Sequence, residues 1–478
     1  MSRINTNVNS LIAQRVLRKN NDQLNVSLER LSTGLKINRG ADNPAGLIAS
    51  ENLRLEKTGI TQAIDNAERA SNIIGTAEGG LAEVSSLLNE LQSLVGQAAN
   101  TGGLSTEEVA ANQLQVDSIL GSINRIAGAT AFQGAKLLNG NYAYQTSSVT
   151  ASAFGNLQVN AARLPDGQTT SIVVQVANSA LQGQVAFGAS SVGTVTIEVA
   201  GNTGTEQLAF ASGTTIASIE TAVNAITEAT GVTASASGGS LTFRSSNFGT
   251  DQFVSVRAIS GSFTVTGGTS GKDFGADADV RVNGAKAEAT GIDVSYRSST
   301  LDIEFQLSVS DGTTDGLNEG GTKTFGITGG GATFALGSKV SETDKASVGI
   351  ASVSTGSLGT TLNTAGTAEF LSSLASGGPN SLNAGNLVQT QKILDKAVKQ
   401  VSQLRGRLGA FQKFTIGSTV NSLGVALENA SAAESAIRDT DFAQETAKLT
   451  RAQILSQAAT TVLAQANASP QSALSLLQ

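Results

Sequence analysis

The sequence predicts a multidomain α+β protein: an elongated α-helical bundle and coiled-coil termini, with inserted β-rich outer domains. Three observations predict it. Apolar residues recur every seven positions through residues 1 to 142 and again from Leu387 to Gln478. The stretch between them, 143–386, is rich in Gly, Ser, Thr, Val and Asp, and its apolar residues alternate with polar ones. Helical patterning resumes only at Leu387, so the chain leaves the bundle and returns to it, which makes the middle an insertion.

The ends, 1–40 and 440–478, each read as one amphipathic helix of a terminal coiled-coil domain. Ile4, Val8 and Leu11 lead into Leu17, Leu24, Leu28, Leu31 and Leu35, the last four spaced four, three and four apart. The stripe then runs into Gly34, Gly40, Asn43, Pro44 and Gly46, which break helices. At the far end Phe442, Leu449, Ile454, Leu455, Val462 and Leu463 stand among many alanines. A lone helix cannot bury such a stripe. Either the two ends close on each other as a hairpin, or other copies of the chain complete them; the second is the sharper expectation.

Residues 41–142 and 387–439 read as the helical-bundle core. Ile60, Ala67, Ile74, Leu81, Leu88 and Val95 repeat every seven, with Ala63, Ala70, Ala77, Val84, Leu91 and Ala98 as companions. Ser105 and Glu108 form a capping-box pattern ahead of Val109, Asn112, Val116, Ile119, Ile123 and Ile126. Leu387, Leu394, Val401 and Leu408, with Ala397, Leu404 and Phe411, supply the returning helix. Asp439 and Asp441 precede a helical stripe, where capping is the simplest role for a carboxylate.

In the middle, "TVTIEVAG", "SLTFRSS" and "STLDIEFQLSVSDG" alternate as strands. "TTIASIETAVNAITEATG" has helical spacing at Ile216, Ile219, Ala222, Val223 and Ile226. "GITGGGATF" reads as a hairpin turn, because clustered glycines supply positive φ without steric cost.

Little in the chain points to chemistry. With no Cys, His or Trp, it has no thiolate nucleophile, no disulfide and no imidazole ligand, so most hydrolytic triads and zinc sites are excluded. A net charge of −7 argues against a nucleic-acid surface. "GGTSGKDF" fails as a phosphate loop: Thr266 takes the place of the first Gly, and Asp273 stands where Ser or Thr must hold magnesium. "GADADVRVNG" lacks the glutamate of a calcium loop. No enzyme activity and no cofactor are expected. The N-terminus lacks an apolar h-region, and no run of about 18 apolar residues exists to insert into a membrane. Those features alone predict a cytoplasmic protein.

Six segments, in order, closely resemble bacterial flagellin: "MSRINTNVNSLIAQ", "SLERLSTGLKINRGADNPAGL", "GATAFQGAKLLNG", "LRGRLGAFQ", "IRDTDFAQETAKLTRAQILSQA" and "LAQANASPQSALSLLQ". The resemblance covers the first 142 and last 92 residues, and about 193–261 is similar to the flagellin hook IN motif. It implies a self-assembling subunit of the flagellar filament, exported by the flagellar type III route, which uses no cleaved signal and overturns the cytoplasmic expectation. It implies terminal helices that line the filament channel, with the breakers after the stripe marking the exit from that inner tube. Ile4, Val8, Leu11, Leu24, Leu28, Leu31, Leu35, Phe442, Leu449, Leu455, Val462 and Leu463 become candidate subunit-interface residues. The implied partners are further copies of the chain, hook–filament junction proteins, the filament cap protein, a flagellar secretion chaperone and the innate immune flagellin receptor.

For that receptor the sequence departs from the family. Detected flagellins carry Gln-Arg-Val-Arg-Glu-Leu-Ala-Val after Glu-Gly-x-Leu. Here "EGGLAEVSSLL" leads to Glu90 and Gln92 in place of the two arginines, while Leu94 persists. Glu90 and Leu94, four apart, are expected side by side on an exposed helix face, and recognition is expected to be weak. Two rivals stand beside the filament subunit: a hook–filament junction protein, and a filament-displayed adhesin whose middle region binds a ligand.

Overall fold

The structure, a computed structural model, describes residues 6–475 apart from 101, 102, 104, 151, 152, 165–167, 311–313, 316–320 and 363–367; at 309, 310, 314, 315, 362 and 469–475 it describes the backbone alone. The architecture is α+β, with long helices at both ends of the sequence and strands between them.

Helix α1 spans Val8–Thr33. Asn7 caps it by accepting from the Ser10 amide at 3.1 Å. Gly34 stops it, because at φ 75° it takes the left-handed conformation open to glycine and donates to the Arg30 carbonyl. Leu35, expected to extend the stripe, lies beyond this cap and forms an isolated β-bridge with Asp439. Asn43 accepts from the Gly46 amide at 2.9 Å, and Pro44 opens α2, Pro44–Ala98. The breakers thus divide into one stop and one start, and Gly46 is already helical.

The heptad stripe of α2 is buried from Ile60 to Ala98. Helix α3, Thr106–Ala129, begins with the expected capping box at Ser105 and Glu108. Two short helices follow in the middle region, α4 (Ile216–Ala225) and α5 (Thr227–Thr230). The returning helix α6, Leu387–Ala410, continues through a π-helical turn at Phe411–Gly417 into α7, Ser418–Arg438. Helix α8 is Phe442–Ser475, capped by Asp441, whose carboxylate accepts from the Ala443 and Gln444 amides. Asp439 is the residue that ends α7.

Contacts divide the chain into two compact units: Met1–Arg69 with Ala335–Asp344 and Ile416–Gln478, and Ala70–Phe334 with Lys345–Thr415. Two of the dividing points lie inside α2 and the π-turn, and the other two bracket Ala335–Asp344. In the first unit, charges pin α2 to α7: Lys57 to Glu434 at 2.9 Å, and Arg438 to Glu51 at 2.9 Å. A Cβ at Gly59 would lie 2.5 Å from the Ser338 carbonyl oxygen. Alanine in a helix interior normally stabilises by roughly 0.5–1 kcal/mol relative to glycine. Gly75→Ala and Gly79→Ala, with nothing within 4 Å, should therefore raise the thermal midpoint. Gly59→Ala should lower it, since overpacking costs about 1–3 kcal/mol; calorimetry on the three variants reads the opposite signs.

In the second unit the described residues of 349–386 lie on the helices. The buried Gln113 of α3 donates to the Leu374 carbonyl at 2.9 Å and accepts from the Leu382 amide at 2.8 Å. Asn124 exchanges hydrogen bonds with Thr355, and Gln400 of α6 accepts from the Gly359 amide. A buried side-chain amide such as that of Gln113 needs such partners, so this irregular segment completes the bundle.

Most of the described strands form two bodies. In the two-sheet unit, one sheet runs in the order Ala285–Lys286, Asp279–Val282, Thr170–Asn178, Thr322–Gly329, Gln145–Ser147. The other runs Glu288–Thr290, Asp293–Arg297, Leu301–Leu307, Phe154–Ala162. They enclose a core that includes Phe154, Phe305 and Phe325. The distal αβ unit has its own core, including Ile197, Ile219 and Phe243. Its sheets are built on Gln184–Phe187, Ser240–Ser245, Val195–Gly201 and Phe253–Ser260, with α4 against them. Strand alternation is as expected, for example buried and half-buried in turn along Leu301–Leu307.

"GITGGGATF" is a corner and not a hairpin. Thr322–Gly329 pairs with Thr170–Asn178 and Gln145–Ser147, whereas Ala332–Ala335 pairs with Lys345–Val348. Gly330 and Gly331, at φ 98° and 80°, turn the chain between two sheets.

Candidate functional site

Helices α1 and α8 lie antiparallel against each other. Asn7 donates to the Ala466 carbonyl at 2.8 Å, Asn20 to the Leu455 carbonyl at 3.1 Å, and the Ser27 hydroxyl to Glu445 at 2.7 Å. The seam on α1 is Ser10, Ala13, Leu17, Asn20, Leu24, Ser27 and Leu31, spaced alternately three and four; on α8, Glu445, Leu449, Ala452, Ser456, Ala459, Leu463 and Ala466 show the same spacing. The small or polar members are mostly the fully buried ones, and the leucines are half-buried. Short side chains recur along the seam, and the two backbones lie close over the whole pair.

The structure therefore sorts the expected interface residues. Leu24, Leu31, Leu449 and Leu463 belong to the intramolecular seam. Val8, Leu11, Leu28, Phe442, Leu455 and Val462 face solvent, with Leu11 58 %, Leu455 43 % and Val462 58 % exposed. Ile4 lies outside the described residues. Ile12 and Val16 join the exposed set, and with Leu455 and Val462 they line a groove of about 690 Å³ along one side of the hairpin. Sequence reasoning missed these two and the small seam residues. The signal for the latter was present, since Ala13, Asn20 and Ser27 repeat every seven beside Leu17, Leu24 and Leu31.

One seam residue is charged. Glu445 is 4 % exposed. Burial disfavours its charge, but the hydroxyl of Ser27, the ammonium of Lys448 at 3.1 Å and the guanidinium of Arg30 at 3.9 Å outweigh it and hold the carboxyl below its ordinary value. A depressed carboxyl contributes stability above its unfolded pKa, and that contribution is lost as pH falls through the folded value. The hairpin should accordingly loosen on acidification below the ordinary glutamate range. Glu445→Gln should flatten that acid limb of the helical circular-dichroism signal; an unchanged limb would assign it to other carboxylates.

At the other candidate surface the structure corrects the sequence. Glu90 and Gln92 are exposed, as expected, but Leu94 is 5 % exposed and belongs to the buried face of α2 beside Leu91 and Val95. The α-helix turns 3.6 residues, so a seven-residue stripe drifts and draws the adjacent position in.

The phosphate-loop lookalike is also resolved. Lys272 places its ammonium 4.1 and 4.6 Å from the ring centres of Phe253 and Phe274, and Asp273 accepts from the Gln184 amide, so both side chains serve the distal fold. No helix of the described residues is long and apolar enough to cross a membrane.

Comparison with known proteins agrees with this layout. Residues 4–143 match the bacterial flagellin N-terminal helical region, and residues 391–477 match the bacterial flagellin C-terminal helical region. Flagellin D of Vibrio cholerae serotype O1 is 29 % identical over 479 residues, covering 99 % of each chain. Polar flagellin F of Vibrio parahaemolyticus is 29 % identical over 488 residues, again covering 99 % of each. Among solved structures, the flagellar junction protein FlgL from Legionella pneumophila aligns with 82 % of this chain and 100 % of its own at 11 % identity, with a TM-score of 0.29. The helical regions that build the terminal hairpin and the bundle are thus the regions that the two models describe, and with relatives named flagellin along its whole length the chain belongs to the bacterial flagellin family.

Proposed function

We infer that the protein is the structural subunit of an extracellular bacterial flagellar filament, that it is not an enzyme, and that it polymerises through the outer faces of its terminal hairpin. The observation that carries the interface is a row of large aliphatic side chains left in solvent on a hairpin whose own seam is already filled. Contiguous exposed apolar surface marks interaction sites, and a repeated copy of the same chain is the partner that a homopolymer supplies. A heterologous contact whose rotation does not close propagates as an open helical filament. Junction proteins, the cap protein and a secretion chaperone are proposed as further partners, and the distal αβ unit as the counterpart of the hook IN motif. Negative-stain microscopy of the purified chain after salt-induced assembly tests the reading. Long filaments support it; short capped or monomeric species would favour a junction protein or an adhesin.

Weak engagement of the innate immune flagellin receptor is part of the same proposal. Exposed Glu90 stands where a cation would pair with receptor acceptors, and reversing a charge at a buried interface costs commonly 2–5 kcal/mol. Purified monomer should activate receptor-bearing reporter cells poorly, and Glu90→Arg with Gln92→Arg should restore part of the response. Potent activation by the unmodified chain would overturn this, and buried Leu94 would not explain it.

A further inference from the structure

The distal αβ unit and the two-sheet unit are joined by two crossings of the chain, around Leu181 and around Ala276, which pair with each other through Leu181 N–H to the Ala276 carbonyl at 2.8 Å and the reverse at 2.9 Å. Two strands alone would leave a neck free to bend. A third element closes it. The loop 246–252 belongs to the distal unit by sequence, lying between its strands Ser240–Ser245 and Phe253–Ser260, yet Phe248 packs against the core of the two-sheet unit. Two residues on, Thr250 donates its amide at 3.1 Å and its hydroxyl at 2.7 Å to the Asp277 carboxylate, which also accepts from the Gly291 amide of the two-sheet unit at 2.7 Å.

Glycines make the approach possible. At Gly249, φ 118°, a Cβ would lie 2.7 Å from an Asp277 oxygen; at Gly291, φ 61°, it would lie 2.5 Å from the Phe248 carbonyl. Gly275 is equally tight against the Gly249 and Leu181 carbonyls. Three backbones therefore meet with no side chain between them, around one carboxylate whose three donors come from both bodies.

We propose that the loop 246–252 is a latch, with Phe248 as its plug and Asp277 as its clasp, which makes the distal αβ unit and the two-sheet unit one rigid lever. The chain's lack of cysteine allows a direct test. Spin labels at Ala217→Cys, on exposed α4, and Ser299→Cys, on an exposed turn of the two-sheet unit, report the distance between the two bodies in the full-length monomer. The expected result is one narrow distance distribution. Its width should at least double in Phe248→Ala and in Asp277→Ala, with far-ultraviolet dichroism unchanged. The clasp variant removes no core side chain, so it keeps the test valid if Phe248→Ala unfolds. A broad distribution in the parent chain, or an unchanged width in a folded Asp277→Ala, would overturn the latch.

Discussion

Leu455→Asp and Val462→Asp are expected to leave the monomer folded and to abolish filament formation. Both side chains point away from the α1–α8 seam and lie in solvent, so a carboxylate there costs the free chain little. In a filament they would be covered. An uncompensated charge taken from water into an apolar contact costs several kcal/mol, and each 1.4 kcal/mol is a factor of ten in the association constant. The penalty recurs at every subunit, so the concentration needed for assembly should rise at least a hundredfold. Leu28→Asp, also exposed on α1, should act in the same direction. Sedimentation after salt-induced assembly measures the polymer, and circular dichroism of the supernatant confirms that the helices are kept. Full-length filaments from Leu455→Asp would move the interface away from this face. Ala459→Leu supplies the contrast: this seam position is buried, so overpacking should destabilise the hairpin in the monomer itself by about 1–3 kcal/mol.

The sequence made the large elements legible because their physics is periodic. A seven-residue apolar stripe admits little besides a helix in a bundle, and alternation in "STLDIEFQLSV" admits little besides a strand with one buried face. What escaped has other causes. On the terminal helices a stripe of leucines looked like an unpartnered interface, yet half of those leucines close an intramolecular seam whose other members, Ala13, Asn20, Ser27, Ala452 and Ala459, are too small or too polar to register as apolar. Leu94 was misassigned by one position of helical drift. "GITGGGATF" shows a turn, but no local signal says which sheet each flanking strand joins. The segment 349–386 has no period at all, and it attaches through individual amides, Gln113 and Asn124 among them, that pattern reading does not weigh.

That segment decides which shortened chain should work. Joining Asn141 to Asn386 is the excision that composition suggests, and it should fail. It strips the helices of Ile350, Val353, Leu358, Leu371, Leu374 and Leu382, each no more than 5 % exposed. At about 1.5–3 kcal/mol for each such side chain, the loss is on the order of 10 kcal/mol, comparable to the whole net stability of a domain. The Gln113 carbonyl would also lose its donor, and its amide nitrogen would keep only Asp117. Joining Ala143 to Gly349 should succeed. The Ile350 amide already donates to the Tyr142 carbonyl at 2.9 Å, so the cut ends are neighbours and a short linker suffices. This excision keeps the covering segment and removes both strand bodies; it also takes away the Ala335–Asp344 loop and its Ser338 contact at Gly59. Thermal unfolding should show a cooperative helical transition for the second chain and none for the first, and only the second should yield filaments by electron microscopy. Equal assembly by both would mean that 349–386 is dispensable cover. A folded second chain that stays monomeric would show that contacts between outer units, and not the helical regions, hold neighbouring subunits together.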